Sequence, residues 1–330
     1  MKKALILGVT GQDGSYLAEI LLNSGLQVYG LVRKAATDNT NNIKHIINSD
    51  YHKSGQFKII KGDLLDNGSI FHAIANSEPD YIYNEADQDH VAWSYEIPSY
   101  SISTTTTSVV NIMEAIRVIN SDIKYFQPVS SNIFGVPTEE PQNENTFHNP
   151  VSPYGIAKSA TFHLCKFYRN SYDLNISTAI LYNHESPRRP EEYLSRKVTM
   201  AVAKIKAGIQ DELILGDLNG YVDWGYAKDF MEIVKAINES DHNEDFIVGT
   251  GILTRVGDFV EKTFSQQNLD WEKYVKTSNE FKRPVSTGNL CADISKLRSE
   301  LSIEPRIQID DLISIMLESD IETVAALNKK

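Results

Sequence analysis

The chain has 330 residues, 41% of them hydrophobic and 23% charged, and 32 Lys and Arg against 44 Asp and Glu leave a formal net charge of −12. That balance excludes a disordered chain, a disulfide scaffold and a broad nucleic-acid or acidic-membrane footprint, while leaving room for a local basic pocket around one anionic small molecule. The length suits about two domains, or one large α/β unit with an elaboration. Cys165 and Cys291 have no second Cys or His at ligand spacing and read as reduced core thiols, with no metal site. Lys2-Lys3 followed by Ala4 to Val9 reads as a first strand and not a signal peptide, and no run of about 18 apolar residues appears. The cytoplasm is the expected compartment.

In chain order, Lys3 to Leu7 is a buried-strand run, Ser15 to Leu22 repeats apolar residues at helical spacing, and Gln27 to Val32 returns to strand. The alternation continues with strand Phe57–Ile60, helix Ile70–Ala75, strand Tyr81–Tyr83, helix Val109–Ile119, strand Lys124–Val129, helix Ala157–Tyr168 and strand Ile176–Leu181. Thr104 to Thr107 reads as the start of a helix. Strands alternating with helices predict an α/β fold with a doubly wound parallel sheet. After Asn183 the pattern shifts to loops rich in Pro, Arg and Gly, with a helix at Val198–Lys206 and a short strand at Leu213–Leu215. The C-terminal part adds a strand at Phe246–Val248, a helix around Val256–Phe264 and an amphipathic segment from Ile309 to Leu327. The expected division is a dinucleotide-binding domain over 1–182, rejoined by 221–255, and a smaller substrate lobe from 183–220 and 256–330.

Gly8-Val9-Thr10-Gly11-Gln12-Asp13-Gly14 follows the first strand and opens the first helix. Gly8 allows the turn, Gly11 lets backbone approach a pyrophosphate, and Gly14 lets helix and sheet pack closely, with the N–H groups of the helix start facing the anion. Lys61-Gly62-Asp63-Leu64 ends the third strand; there Asp63 either accepts from an adenine amino group or caps a helix. The end of the second strand carries Arg33-Lys34 and no acid, which on its own favours NADP over NAD.

Tyr154 and Lys158 stand four residues apart, on one face of a helix. A nearby ammonium favours phenolate, so the pair predicts a tyrosine with its pKa lowered toward neutrality, ready to take a proton from a secondary alcohol as hydride leaves. Ser130-Ser131 closes the strand before them, on the side of a parallel sheet where ligands bind, and a hydroxyl there can relay that proton.

These residues together, with the long C-terminal elaboration, resemble the Rossmann-type extended short-chain dehydrogenase/reductases that modify nucleotide sugars. Gly11 to Ala18, Asn183-His184-Glu185-Ser186-Pro187-Arg188-Arg189, Arg196-Lys197, Val202 to Ile205 and Asp223-Trp224-Gly225 are similar to the GDP-mannose 4,6-dehydratases, over almost the whole chain. The resemblance implies Ser130, Tyr154 and Lys158 as catalytic residues. It implies cofactor contacts at Gly8, Gly11, Gln12, Asp13, Gly14, Arg33, Asp63, Leu64 and Ala86, and GDP-sugar contacts at Asn183, Arg189, Lys197 and Arg283. It also implies a homo-oligomer, dimer or tetramer.

The departures from the family carry as much information as the matches. The dehydratases have Thr-Ser-Glu where this chain has Ser130-Ser131-Asn132. The family's glutamate removes the C5 proton after C4 is oxidised; Asn132 cannot accept and return a proton at neutral pH, so elimination is expected to fail while hydride transfer survives. Glu85, Asp87 and Asp89 have entered a cofactor-side loop that reads Asn-Leu-Gly-Ala-Gln-Ser-His-Val in the family. Val222 replaces an arginine, and Lys34-Ala35-Ala36 replaces Arg-Ser-Ser, a loss of hydroxyl donors that moves the cofactor expectation back to NAD(H), with NADP(H) as the alternative. The expected activity is therefore oxidation at C4 of a GDP-mannose or GDP-manno-heptose type sugar without dehydration, for surface polysaccharide assembly, with a second small molecule recycling the cofactor. The alternatives are a 4-keto reductase, a 4-epimerase, a dehydratase using Asp87, Asp89 or another acid, and a non-catalytic nucleotide-sugar binder.

Overall fold

The computed structural model describes residues 1–278 and 287–327. Strands are β1 (Lys3–Leu7), β2 (Gln27–Val32), β3 (Phe57–Lys61), β4 (Tyr81–Asn84), β5 (Lys124–Ser130), β6 (Ile176–Leu181), β7 (Asn183–Glu185), β8 (Leu213–Leu215), β9 (Tyr221–Tyr226), β10 (Asp245–Val248), β11 (Leu253–Arg255) and β12 (Val275–Thr277). Helices of ten or more residues are α1 (Gln12–Asn23), α2 (Asn67–Ser77), α3 (Ser108–Ile119), α4 (Pro153–Tyr172), α5 (Leu194–Lys206), α6 (Ala227–Glu239), α7 (Val256–Ser265) and α8 (Ile309–Leu327).

Seven strands pair in the order β10-β6-β5-β4-β1-β2-β3, every pairing parallel. The chain builds outward from β1 to β3, then returns to β4 on the other side, so the switch point lies between β1 and β4, where ligands of such sheets bind. Successive side chains take opposite faces: Ala4 and Ile6 join the core under α1 and α6, while Leu5 and Leu7 join the core under α2 and α3. A third core gathers Val198, Val202, Trp224, Phe259, Leu312 and Met316 between α5, α7 and α8. This smaller lobe is tied to the rest by a three-stranded sheet, β11-β9-β7. Residues 221–255 divide accordingly: β10 joins the large sheet, whereas β9 and β11 pair beside β7.

Two expectations are corrected. Helix α4 begins at Pro153, one turn before the expected Ala157, because Ser152 caps it by accepting from Gly155 N at 3.0 Å and Pro153 supplies a first-turn residue that needs no donor. Tyr154 is thereby in the first turn and Lys158 one turn on. Thr104 to Thr107 do not start a helix; they form a π-turn, Ser103–Thr107, between a short helix over Pro98–Ile102 and α3. The carbonyl of Thr105 is met by Thr161 Oγ1 at 2.7 Å, and Thr106 Oγ1 donates to Ala157 O at 3.0 Å, so the widened turn is pinned to α4.

Candidate active site

The C-terminal ends of β1, β4, β5 and β6 meet on one edge, and the sequence places its chemistry there. Gly8 turns the chain out of β1 at φ +81°, and a Cβ on it would lie 2.4 Å from the Glu85 carbonyl. A Cβ on Gly14 would lie 2.3 Å from the Gly8 carbonyl, so only glycine lets α1 start this close to the sheet. No side chain caps the start of α1, which leaves its N–H groups for an anion.

Ser130, at the end of β5, accepts from Asn132 N at 3.2 Å and from Asn132 Nδ2 at 3.1 Å. Lys158 lies on the same face of α4, its Nζ 5.8 Å from the Tyr154 ring centre. Its ammonium donates to Pro128 O at 3.1 Å and is ion-paired with Asp87, both side chains largely buried. Burial pulls the ammonium toward neutrality, but Asp87 and then Tyr154 outweigh it, and Lys158 is held above its ordinary range. The expected lowering of Tyr154 does not occur. Burial, reinforced by Asp87 and Asp89, pushes the phenol up to about 12, against the pull of Lys158 and Ser130. The sequence expectation counted the lysine and omitted the carboxylate beside it.

Charged groups surround this centre. Glu85, whose Oε1 is buried without a hydrogen-bond partner, is held well above the carboxylate range by burial, then by Asp13 and Asp87 against Lys158. Asp13 meets His184 Nε2 at 2.9 Å, and His184 Nδ1 meets Tyr182 O at 2.7 Å, so both ring nitrogens face acceptors and the ring is an imidazolium. Burial opposes this charge on each partner, yet Asp13 raises His184 and His184 lowers Asp13. Gln12 Nε2 donates to His184 O at 3.1 Å, and Ser186 Oγ donates to Gln12 Oε1 at 2.7 Å. The glycine loop and the 183–189 segment are thus one hydrogen-bonded unit. Arg189 lies 3.5 Å from Glu185, 3.9 Å from Asp89 and 3.7 Å over the Tyr193 ring. Arg188 turns away, stacked 3.8 Å over Tyr16 and bonded to Ser15 Oγ at 2.9 Å and to Glu19.

Other candidates are more dispersed. Asp63 accepts from Leu65 N at 2.9 Å, and Asp66, not Asp63, caps α2. Leu64 and Ala86 pack half-buried against the core on the α2 side of the sheet. Arg33 is exposed and donates to Tyr100 Oη at 3.3 Å. Asn183 is exposed at the start of β7, and Lys197 Nζ donates to Ile214 O at 2.8 Å. Arg283 lies outside the described residues. Sequence reasoning missed His184 and Tyr193 as members of the site. His184 had no signal beyond its place in the 183–189 segment, and Tyr193 none beyond preceding a helix. Among the described residues no group of His, Cys, Asp and Glu is placed to hold a metal, and no helix is long and apolar enough to cross a membrane.

The cradle fits a dinucleotide: two positions closed to any Cβ, free N–H groups at the start of α1, and carboxylates beside Lys158 that suit a cationic ring. The arrangement as a whole can hold a pyrophosphate on one side and move a proton at Tyr154 on the other.

A family model described as GDP-mannose 4,6 dehydratase matches residues 5–316. GDP-mannose 4,6 dehydratase 1 of Arabidopsis thaliana is 37% identical over 326 residues, 97% of this chain and 90% of that protein. GDP-mannose 4,6-dehydratase of Yersinia enterocolitica is 34% identical over 351 residues, 98% of this chain and 94% of that protein. Among solved structures, the dTDP-glucose 4,6-dehydratase DesIV of Streptomyces venezuelae, with NAD and TYD bound, superposes with a TM-score of 0.87 over 98% of both chains at 18% identity, a likeness of fold.

Proposed function

Since this chain belongs to the GDP-mannose 4,6-dehydratase family, we propose that it is an NAD(P)-dependent enzyme that oxidises C4 of a GDP-sugar and stops at the 4-keto product. The observation that carries this reading is Asn132, an amide where the family places its elimination base, bonded through Nδ2 to Ser130. Tyr154 takes the C4 hydroxyl proton, Ser130 is the hydroxyl that relays it, and Lys158 stands on the same face of α4. The cofactor, held at Gly8, Gly11 and Gly14 with Asp63, Leu64 and Ala86 along its adenosine side, supplies the hydride acceptor when bound. Arg189, Lys197 and Asn183 are the GDP-sugar contacts in this reading. The substrate is of GDP-mannose or GDP-manno-heptose type and the setting surface polysaccharide assembly. Arg33, exposed at the end of β2, leaves NAD(H) and NADP(H) both open to use.

Asp87 and Asp89 are the acids available to a dehydratase reading, since both act on Tyr154. Asp87 is ion-paired with Lys158, which weighs against it as a free base, and Asp89 lies 3.9 Å from Arg189. Net oxidation requires the reduced cofactor to leave or to be reoxidised by a second small molecule. The same reading makes the protein a homo-oligomer, supported by Tyr100, Ile102, Ile156 and Phe167, which are exposed on the helices around α4. The test is stoichiometry. With excess oxidised cofactor and a GDP-manno sugar, reduced cofactor is expected to accumulate one for one with keto sugar; cofactor returned unchanged would instead indicate a dehydratase or an epimerase.

A further inference from the structure

We propose that Trp93, His90 and Tyr193 form an aromatic subsite for the sugar ring of the substrate, at the seam between the large domain and the small lobe. Of the three tryptophans, Trp224 is buried, whereas Trp93 is 55% exposed. An exposed ring standing alone carries no information. This one belongs to a set: its ring centre is 5.4 Å from that of His90, His90 is 5.3 Å from Tyr193, and the Arg189 guanidinium lies 3.7 Å from the centre of the Tyr193 ring. His90 and Trp93 come from the loop after β4 and the short helix Val91–Glu96 that follows it, while Arg189 and Tyr193 lead into α5. The set therefore crosses from one lobe to the other.

The set is held beside the chemistry. His90 Nδ1 accepts from Trp93 N at 3.3 Å, which fixes the imidazole at the helix start and leaves its hydrogen on Nε2, where no acceptor meets it among the described residues. Tyr95 Oη donates to Val151 O at 2.9 Å, tying the same helix to the turn that leads into α4. Asp87, three residues before His90, is ion-paired with Lys158. A pyranose offers C–H groups on its faces and hydroxyls around its rim. Aromatic rings take the first; the Nε2–H of His90 and the exposed carboxylate of Asp89 take the second. Guanine lies at the far end of the diphosphate from C4, so the part of the substrate that reaches this set is the sugar. The inference rests on the GDP-sugar reading and deepens it by assigning the residues that hold the sugar itself.

The test reads Trp93 directly. Full-length protein labelled with 5-fluorotryptophan and saturated with NADH, so that no sugar is oxidised, is titrated by fluorine NMR with GDP-mannose and separately with GDP, the Trp93 resonance being assigned with Trp93→Phe. GDP-mannose is expected to move that resonance and GDP to leave it in place. In titration calorimetry, Trp93→Ala is expected to weaken GDP-mannose binding about tenfold, the scale of one lost aromatic contact, while the affinity for GDP stays that of the parent. Trp93→Phe, which keeps a ring, is expected to recover most of the loss. His90→Asn, which keeps a capping acceptor at the helix start but removes the imidazole, is expected to weaken GDP-mannose binding likewise. Trp93 is exposed, so its substitutions open no core. A resonance that moves as far with GDP as with GDP-mannose would put the nucleotide there and overturn the proposal, as would unchanged GDP-mannose binding in Trp93→Ala. Sugar-dependent changes in a protein that forms no keto sugar with NAD⁺ would reject the oxidation reading and leave the subsite standing.

Discussion

Asp87 and Lys158 form a buried ion pair behind Tyr154, joining the loop after β4 to α4. The lysine that the spacing reserves for the tyrosine is shared with a carboxylate, and the phenol stands at about 12. Positive charge added beside it, as an oxidised nicotinamide ring would supply if bound there, would favour its basic form.

Replacing Asp87 by Asn removes one negative charge beside the phenol while keeping an acceptor for Lys158. Tyr154 must lose its proton to act as base, so the acid limb of kcat/KM for sugar oxidation is expected to move to lower pH, by about one unit. A pH profile of the variant against the parent measures it. An unmoved limb would show that Asp87 does not control the tyrosine.

The Asp13–His184 pair predicts a window of stability. His184 is raised in the folded chain, so its contribution is complete below its unfolded pKa of about 6.5 and is lost as pH rises through the higher folded value. Asp13 is lowered, so its contribution is present above about 3.9 and is lost as pH falls through the lower folded value. His184→Gln is expected to cost about 3 kcal/mol near neutral pH, because it leaves Asp13 buried without its partner. Urea unfolding of both proteins across pH checks this, and the difference between them should shrink toward alkaline pH.

Gly14→Ala places a methyl group 2.3 Å from the Gly8 carbonyl, so α1 must move away from the sheet. Dinucleotide affinity is expected to fall by at least tenfold while the far-ultraviolet circular dichroism stays that of the parent. Titration calorimetry with NAD⁺ and NADH reads the affinity.

In the small lobe, Arg196 on α5 pairs with Asp320 on α8 at 2.6 Å, and Thr199 Oγ1 donates to the same carboxylate at 2.6 Å. Asp320→Ala leaves a buried guanidinium without its counter-charge and is expected to destabilise the small lobe by about 3–5 kcal/mol. A lowered Tm in calorimetry checks it, and unchanged stability would mean that the arginine finds water.

The large sheet was legible because each strand is a short apolar run and each crossover a helix with its own period, from Lys3 to Leu181. The three-residue strands β7, β11 and β12 were not, because they are too short to show alternation, and β9, Tyr221 to Tyr226, carries Asp223 and Gly225 within it. In the site, Gly8, Ser130, Tyr154 and Lys158 were readable from spacing, since the chemistry fixes their separation along the chain. The Asp87–Lys158 and Asp13–His184 pairs join residues 71 and 171 positions apart, and only the fold brings them together. For the same reason the direction of the Tyr154 shift could not be obtained from the four-residue motif alone.

The central claim is that oxidation ends at the ketone because residue 132 is an amide. The most direct measurement is to incubate the protein with GDP-mannose or a GDP-manno-heptose and excess oxidised cofactor in deuterium oxide, and to examine the sugar by NMR and mass spectrometry. A 4-keto sugar that keeps its C6 oxygen is the predicted result. A 4-keto-6-deoxy sugar carrying deuterium at C5 would contradict it and would mean that another acid performs the elimination.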